Sequence, residues 1–301
     1  MIHIIITAYK ETKATIKACQ AFLEQKLPKD TKIIVADPFP ETEEALKKEF
    51  KDKVEFFLDP GEGKSYALNV LFEQIYSKNQ NDIIILSDGD VHVSPSSVKV
   101  ILEAFKDKKI GCVTCKPVSI NPKDNMYGYW SHLLFAGIDK TRKELSGKQE
   151  FFECSGYLFA IRNGVLQGFP MEASEDSIIP HLFWEKGFKI KYVPEAEVYV
   201  LSPQSWLDWK RQKIRNIKGH ENLNNLVPEM KRTKSFWNEV KRGTWFALTY
   251  PRSFREFFWT LALFYARLHI YLAAFWDLKL RKKAYQDGWR AELTNSTRPL
   301  D

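Results

Sequence analysis

The chain has 301 residues, 44% hydrophobic and 28% charged, with a formal net charge of +7 and a pI near 9.0. That composition excludes a disordered or fibrous chain and leaves room for one large domain, or one domain with an appendage. The basic balance suits anionic ligands: nucleotides, nucleic acid or an anionic membrane surface. Four cysteines, Cys19, Cys112, Cys115 and Cys154, include a single C-x-x-C with no second pair to complete a zinc site. They read as buried strand thiols in a reducing compartment.

The first 120 residues alternate strand and helix. Strand signals fall at Ile2–Thr7, Lys32–Ala36, Val54–Leu58, Asp82–Leu86 and Gly111–Val118. Helix-like stretches lie between them, at Thr12–Gln25, Glu41–Phe50, Lys64–Ser77 and Pro95–Phe105. Strands joined by crossover helices imply a Rossmann-like, mainly parallel α/β sheet with helices on both faces. The opening run Ile2–Ile6 reads as a strand and lacks the basic leader of a secretory signal.

Asp37 ends the second strand, where a carboxylate binds a ribose or base edge, or else caps the next helix. Gly61-Glu-Gly-Lys-Ser65 opens a helix after the third strand. It is not a P-loop, because Leu58 stands where the first glycine is required. Lys64 at a helix N-terminus still makes an anion-friendly corner. Ile83–Leu86 is an apolar run suited to a strand buried on both faces, and Asp88-Gly-Asp90 follows it. Two such carboxylates suit a hard divalent cation bridging to a phosphate; the other reading is an acidic turn with a helix cap at Ser94. His92 shares the side of Asp90, as a candidate to assist the metal or the sugar or as a packed or solvated histidine.

Beyond residue 120 the pattern changes. Asn121–Gln149 is a helix with a long loop, and Glu150–Arg162 reads as strand, turn and strand around Ser155-Gly156. Ser174–Lys186 is a helix whose first turn carries Glu175 and Asp176: either a general base for an attacking hydroxyl or acids favoured by the helix dipole. Phe188–Val193 and Glu197–Leu201 read as two short strands. The helix Pro203–Gly219 places Arg211, Arg215 and Lys218 on one face, as a diphosphate clamp, a solvated face or a basic stripe for nucleic acid. No nucleic-acid motif accompanies it, so nucleic acid is not an expected partner. His220 ends this helix as a candidate metal ligand.

The stretch Phe254–Trp276 approaches the length of a bilayer span, yet Arg267 sits in its middle. Glu256, Thr260, Arg267 and Ala274 share a stripe opposite a wide apolar arc. Arg252 and Arg255 precede it, and Lys279, Arg281, Lys282 and Lys283 follow. The favoured reading is an interfacial or re-entrant helix with basic flanks on anionic head groups. A true span and a buried core helix are the alternatives.

Taken in order, Ile4–Glu11, Asp37, Gly63-Lys64-x-x-Ala67-Leu68-Asn69, Asp88-Gly-Asp90, Gly156, Glu175-Asp176 and the basic helix resemble the family-two glycosyltransferases of GT-A fold. The resemblance covers residues 1–220, with a nucleotide-sugar half (1–120) and an acceptor half (121–220). Residues 221–301 are expected to form a helical, aromatic and basic C-terminal region associated with a membrane. The resemblance implies an inverting, metal-dependent transfer from a nucleoside-diphosphate sugar, a UDP-sugar first of all, to a hydroxyl of a glycan or lipid-linked acceptor. Its implied donor contacts are Thr7, Ala8, Glu11, Asp37, Gly63, Lys64, Asn69, Asp88, Gln212 and Arg215. Gly156 and Trp209 belong to the acceptor, and Asp90, with Asp88, to Mg²⁺ or Mn²⁺. Asp176 resembles the general base, with Glu175 beside it. Gln212-x-x-Arg215-Asn216 resembles a Q-x-x-R-W element in which asparagine replaces tryptophan, removing the aromatic platform used in processive synthesis. The implied location is the cytoplasmic side of a membrane, peripheral or single-span. A nucleotidyltransferase and a non-catalytic sugar-nucleotide-binding protein are the rival functions. The first lacks its glycine-rich loop after Thr7-Ala8, and the second has no use for Asp88, Asp90 and Asp176 together.

Overall fold

Runs of β-branched residues form the centre of the molecule. In the computed structural model, which describes residues 1–171, 173–229 and 236–280, β1 (Ile2–Thr7), β2 (Thr31–Asp37), β3 (Glu55–Leu58) and β4 (Ile83–Asp88) form a parallel set in the order β3-β2-β1-β4. Ile4, Ile5, Ile6 and Ile85 are fully buried, because helices cover both sheet faces. Ile4 and Ile6 join one core and Ile5 the other, as strand alternation dictates. The helices are α1 (Thr12–Leu23), α2 (Pro40–Phe50), α3 (Lys64–Gln74) and α4 (Ser97–Ala104). The strand order reverses at β1, which makes the β1/β4 crevice a topological switch point.

The remaining sheet departs from a simple parallel pattern. It adds β5 (His92–Val93), β6 (Ile110–Ser119), β7 (Leu158–Arg162) and β8 (Lys189–Val200), continuing as β4-β7-β6-β8-β5. Strand β7 inserts antiparallel between β4 and β6, so the second half is mixed. Glu150–Arg162 yields one strand, β7, instead of two. The segment before it is fixed by side chains: Arg142 Nη2 donates to the carbonyls of Glu153 (3.3 Å) and Cys154 (2.8 Å), and Thr114 Oγ1 accepts from Ser155 N–H (3.0 Å). The two short strands expected at 188–201 are one strand of 12 residues, with a register shift opposite Cys115/Lys116 that absorbs the irregularity around Pro194. Asn121–Gln149 contains a 22-residue helix, α5 (Met126–Gly147), started by Asn125 Oδ1 accepting from Gly128 N–H at 2.9 Å.

After α6 (Glu175–Glu185), α7 (Trp206–Leu226) starts three residues after the expected Pro203, N-capped by Ser205, whose hydroxyl accepts Asp208 N–H at 3.2 Å. It runs unbroken past residue 220. Helices α8 (Phe236–Thr249) and α9 (Phe254–Phe275) pack back onto α5 and α7 through a third core containing Tyr129, Trp130, Trp209, Leu263 and Ile270. Tyr129 Oη shares a 2.7 Å hydrogen bond with Thr260 Oγ1, and Trp130 Nε1 donates to the Trp259 carbonyl at 2.7 Å. The polar stripe of α9 faces the protein: Thr260 and Ala274 are buried, and Arg267 pairs with Glu239 of α8 and meets Tyr271 Oη. Its apolar arc faces out, with Phe258, Tyr265 and Leu272 at least 61% exposed. Among the described residues one helix, Phe254–Leu278, is long and apolar enough to cross a membrane. Arg281, Lys282 and Lys283 of the basic flank lie outside the described residues, as does the side chain of Lys279.

All four cysteines are buried free thiols. Burial pushes the Cys19 thiol up to about 12 and also raises Cys112 and Cys115. Burial thus disfavours the thiolate at Cys112 and Cys115, which argues against a redox role for the C-x-x-C pair.

Candidate active site

The β1/β4 crevice opens into a cavity of about 1030 Å³. Its first wall is the end of β1, with Thr7, Ala8 and Tyr9, beside Asp88 and Asp90 at the end of β4. These ends approach closely because position 89 is glycine. A Cβ there would lie 2.9 Å from the Ala8 Cβ and 3.2 Å from the Thr7 carbonyl. Gly89 N–H donates to that carbonyl at 2.8 Å, and Thr7 Oγ1 lies 3.4 Å from Asp88 Oδ1. The second wall is the 59–64 loop, which needs glycine at Gly61 (φ +83) and Gly63 (φ +106). Asp59 Oδ1 accepts Gly61 N–H at 2.8 Å and closes the turn, delivering Lys64 as the first residue of α3.

Lys64 is the electrostatic hub. Its Nζ lies 2.7 Å from Asp88 Oδ1 and 2.6 Å from Glu175 Oε1, tying β4 to the start of α6. The two carboxylates raise the Lys64 ammonium above its usual range against the opposing effect of burial. Burial and the neighbouring Asp176 and Asp88 raise Glu175 above the ordinary carboxylate range, opposed by Lys64. Asp176 is held differently. Ser174 Oγ donates to its Oδ1 at 2.5 Å, and its backbone carbonyl accepts Cys154 N–H at 2.9 Å. Gly156 sits above both acids: a Cβ there would be 3.6 Å from Glu175 Oε1 and 3.8 Å from Asp176 Oδ2. The far wall is α7, from which Gln212, Arg215, Asn216 and His220 reach the cavity. The His220 Nδ1 lies 3.6 Å from Glu153 Oε2.

Thr7, Ala8, Gly63, Lys64, Asp88, Asp90, Gly156, Glu175, Asp176, Gln212 and Arg215 therefore line one cavity, as does His220. Five expected site residues do not. Asp37 is fully buried, and its two oxygens accept from Phe39 N–H and Thr42 Oγ1, each at 3.0 Å, so it braces the start of α2. Burial raises its carboxyl above the usual range. Glu11 stands at the N-cap of α1, where its carbonyl accepts from Thr15 N–H at 2.9 Å. Asn69 spans to the Phe169 backbone, donating to its carbonyl (3.0 Å) and accepting its N–H (2.8 Å). Trp209 is 2% exposed and packs between Trp130 (5.1 Å) and Trp206 (5.7 Å). His92 lies on the edge strand β5, paired with β8. Two residues that sequence reasoning passed over bear on the site. Ser174 orients Asp176, a role foreshadowed only by its place at a helix start. Glu153 is buried beside His220 and accepts from Ser177 Oγ at 3.1 Å, with no local sequence signal.

Among the described residues no three His, Cys, Asp or Glu side chains gather as a closed metal site. Asp88, held by Lys64, and the buried Asp90 both line the cavity, and their hard carboxylate oxygens are the donor type that suits Mg²⁺ or Mn²⁺.

Residues 2–219 match the family model described as glycosyltransferase-like family 2. Over 237 residues the chain is 24% identical to the Bacillus subtilis protein "Probable glycosyltransferase YdaM", covering 73% of this chain and 55% of that protein. It is 26% identical over 245 residues to the poly-beta-1,6-N-acetyl-D-glucosamine synthase of Staphylococcus aureus, covering 78% and 58%. The chain thus spans little more than half the length of these relatives. A fold likeness extends to the mannosyltransferase PcManGT of Pyrobaculum calidifontis, solved with GDP-Man and Mn²⁺, at a TM-score of 0.60 and 17% identity over 93% of this chain and 81% of that one. Carboxylates at the switch point of a half-parallel sheet, a second acidic pair across the cleft and a match through residue 219 lead to one conclusion: the chain belongs to glycosyltransferase-like family 2.

Proposed function

We propose that this chain catalyses a metal-dependent, inverting transfer of a sugar from a nucleoside-diphosphate sugar to the hydroxyl of a glycan or lipid-linked acceptor, at a membrane surface. The observation that carries this reading is the convergence of Asp88 and Glu175 on the Lys64 ammonium, at 2.7 and 2.6 Å, with Asp90 and Asp176 in the same cavity. Carboxylates placed so close tolerate one another only beside positive charge. The nucleotide takes the β1/β4 end, bounded by Thr7, Pro38 and the 59–64 loop. Lys64 and Arg215 face its diphosphate, where arginine binds phosphate bidentately. A divalent cation held by Asp90 and Asp88 would supply charge that stabilises the leaving diphosphate.

Asp176 acts on the acceptor side. Its Oδ1 is fixed by Ser174, while Oδ2 lies under Gly156, where the absent side chain leaves room for an incoming hydroxyl. Asp176 takes the hydroxyl proton, the oxygen forms its bond to the anomeric carbon, and the bond to the diphosphate oxygen breaks with its electron pair. One displacement inverts the anomeric centre. Glu175, held by Lys64, positions that ammonium. The membrane reading is supported by the outward apolar arc of α9 and the cations Arg252 and Arg255 at its start. UDP-sugars, with N-acetylglucosamine foremost given the Staphylococcus relative, head the donors to test. Incubation with a panel of radiolabelled UDP- and GDP-sugars, with Mn²⁺ or Mg²⁺, tests the reading. Sugar transfer or donor hydrolysis that chelation abolishes is expected; failure to bind or turn over any donor would overturn it.

A further inference from the structure

We infer that the catalytic cavity has a second, apolar arm that holds the hydrocarbon chain of an amphiphilic acceptor. The inference rests on the transferase reading and names its acceptor class. At about 1030 Å³ the cavity matches the upper end of ligand pockets, roughly 300–1,000 Å³, so it has room beyond a donor. Away from Asp88 it continues between α5, α8 and α9. Leu134 and Ile138 come from α5, Phe246 and Ala247 from α8, and Phe264 from α9. The same helices also bring Lys140, Arg242 and the Arg267–Glu239 pair to the cavity, so the apolar residues form a strip bordered by charge, which suits methylenes along its length and a polar head at its end.

Two further observations say what fills the arm. First, both helical walls carry a glycine, a poor helix former, where a side chain would enter the space. A Cβ at Gly243 meets nothing within 4 Å, and one at Gly137 comes only to 3.7 Å of the Phe246 ring. Second, the arm is continuous with the outer face of α9. Leu268 lines the cavity yet is 46% exposed, and it belongs to the stripe Phe258, Leu261, Tyr265, Leu268, Leu272 and Phe275, spaced three and four residues apart. A chain lying along this stripe meets the cavity at Leu268, beside the paired Arg267 and Glu239. With the chain in the arm, the polar head and its hydroxyl lie toward Asp176. Isoprenoid and saturated acyl chains share this chemistry.

Displacement of a fluorescent C11 probe, 11-(dansylamino)undecanoic acid, from the full chain tests the inference. Alkyl glucosides from methyl to octyl, below their micelle concentrations, should compete with affinity rising up to about fourfold per buried methylene. Gly137→Phe and Gly243→Trp, which fill the arm from opposite walls, should each weaken probe binding at least tenfold. Their UDP and GDP binding and their adsorption to phosphatidylglycerol vesicles should match the parent, which also shows that they fold. Competition by farnesyl phosphate or by dodecyl phosphate supports the arm and identifies the chain type; competition by neither overturns it. Probe binding insensitive to both fillings overturns the inference, as does binding lost only in Leu272→Ser, which would assign the chain to the outer face. Loss of nucleotide binding by the parent, with probe binding intact, would sink the transferase reading and leave the chain site standing.

Discussion

Replacing Lys64 with methionine removes the one ammonium that Asp88 and Glu175 share. The side chains of Lys64, Asp88 and Glu175 are 28, 18 and 10% exposed, so the cluster is largely desolvated. With contacts of 2.7 and 2.6 Å to the same nitrogen, the two carboxylate oxygens lie within about 5 Å of each other. At an effective dielectric of about 20, two charges at that spacing repel by about 3 kcal/mol. Stranding one partner of a buried pair costs about 3–5 kcal/mol, and partial exposure of Lys64 reduces this. We expect Lys64→Met to lose about 2–4 kcal/mol at pH 8. The loss depends on pH. Burial already raises Glu175, and without Lys64 it rises further above its unfolded value. A carboxyl raised in the folded state is favourable while protonated and loses that advantage as pH rises through its folded-state value. The deficit should therefore shrink as pH falls toward the ordinary carboxylate range, because the raised Glu175 takes up its proton above that range. Millimolar Mg²⁺ or Mn²⁺ should recover part of it at pH 8. Urea unfolding at pH 5 and 8, with and without the cation, measures all three effects. A deficit below about 1 kcal/mol at pH 8, or one independent of pH, would refute the reasoning.

Asp37→Asn should change stability by no more than about 1 kcal/mol at pH 7, because Asn can still accept Phe39 N–H and meet the Thr42 hydroxyl. Since burial raises Asp37, the parent loses stability as pH climbs above the usual carboxylate range, and the variant should not; calorimetric nucleotide affinity should stay within about threefold, and a tenfold loss would return Asp37 to the base pocket. Trp209→Ala should cost about 3–5 kcal/mol in urea unfolding, as expected of a buried tryptophan; a loss under about 1 kcal/mol would contradict its place in the aromatic core. Asp90→Ala should weaken donor binding in Mn²⁺ at least tenfold by titration calorimetry, and undiminished binding would remove its role as a cation ligand.

Much of the β1/β4 end of the cavity was legible because local pattern and position coincide. An apolar run buried on both faces, followed by Asp88-Gly-Asp90, places acids at a strand end, and Gly61 and Gly63 mark the loop that presents Lys64. The partners of those residues were not legible. Lys64 meets Glu175 across more than a hundred residues, and no periodicity encodes which helix start faces which strand end. The antiparallel insertion of β7 escaped for the same reason, since strand order in a sheet follows from packing. Asp37 and Asn69 show the opposite limit: polar residues beside a site serve equally well to hold backbone, and only burial and partners distinguish the two uses. The Phe254–Phe275 helix was readable as amphipathic, but its orientation was not. Arg267 finds its carboxylate on α8 and turns inward, which leaves the apolar arc outside.

Sugar transfer by the parent and Asp176→Asn, with donor affinity measured in parallel, tests the catalytic assignment most directly. A general base contributes about 10²–10⁴ in rate, so transfer should fall by at least a hundredfold while donor affinity stays within about threefold. Near-normal transfer by Asp176→Asn would contradict the assignment of the proton to Asp176.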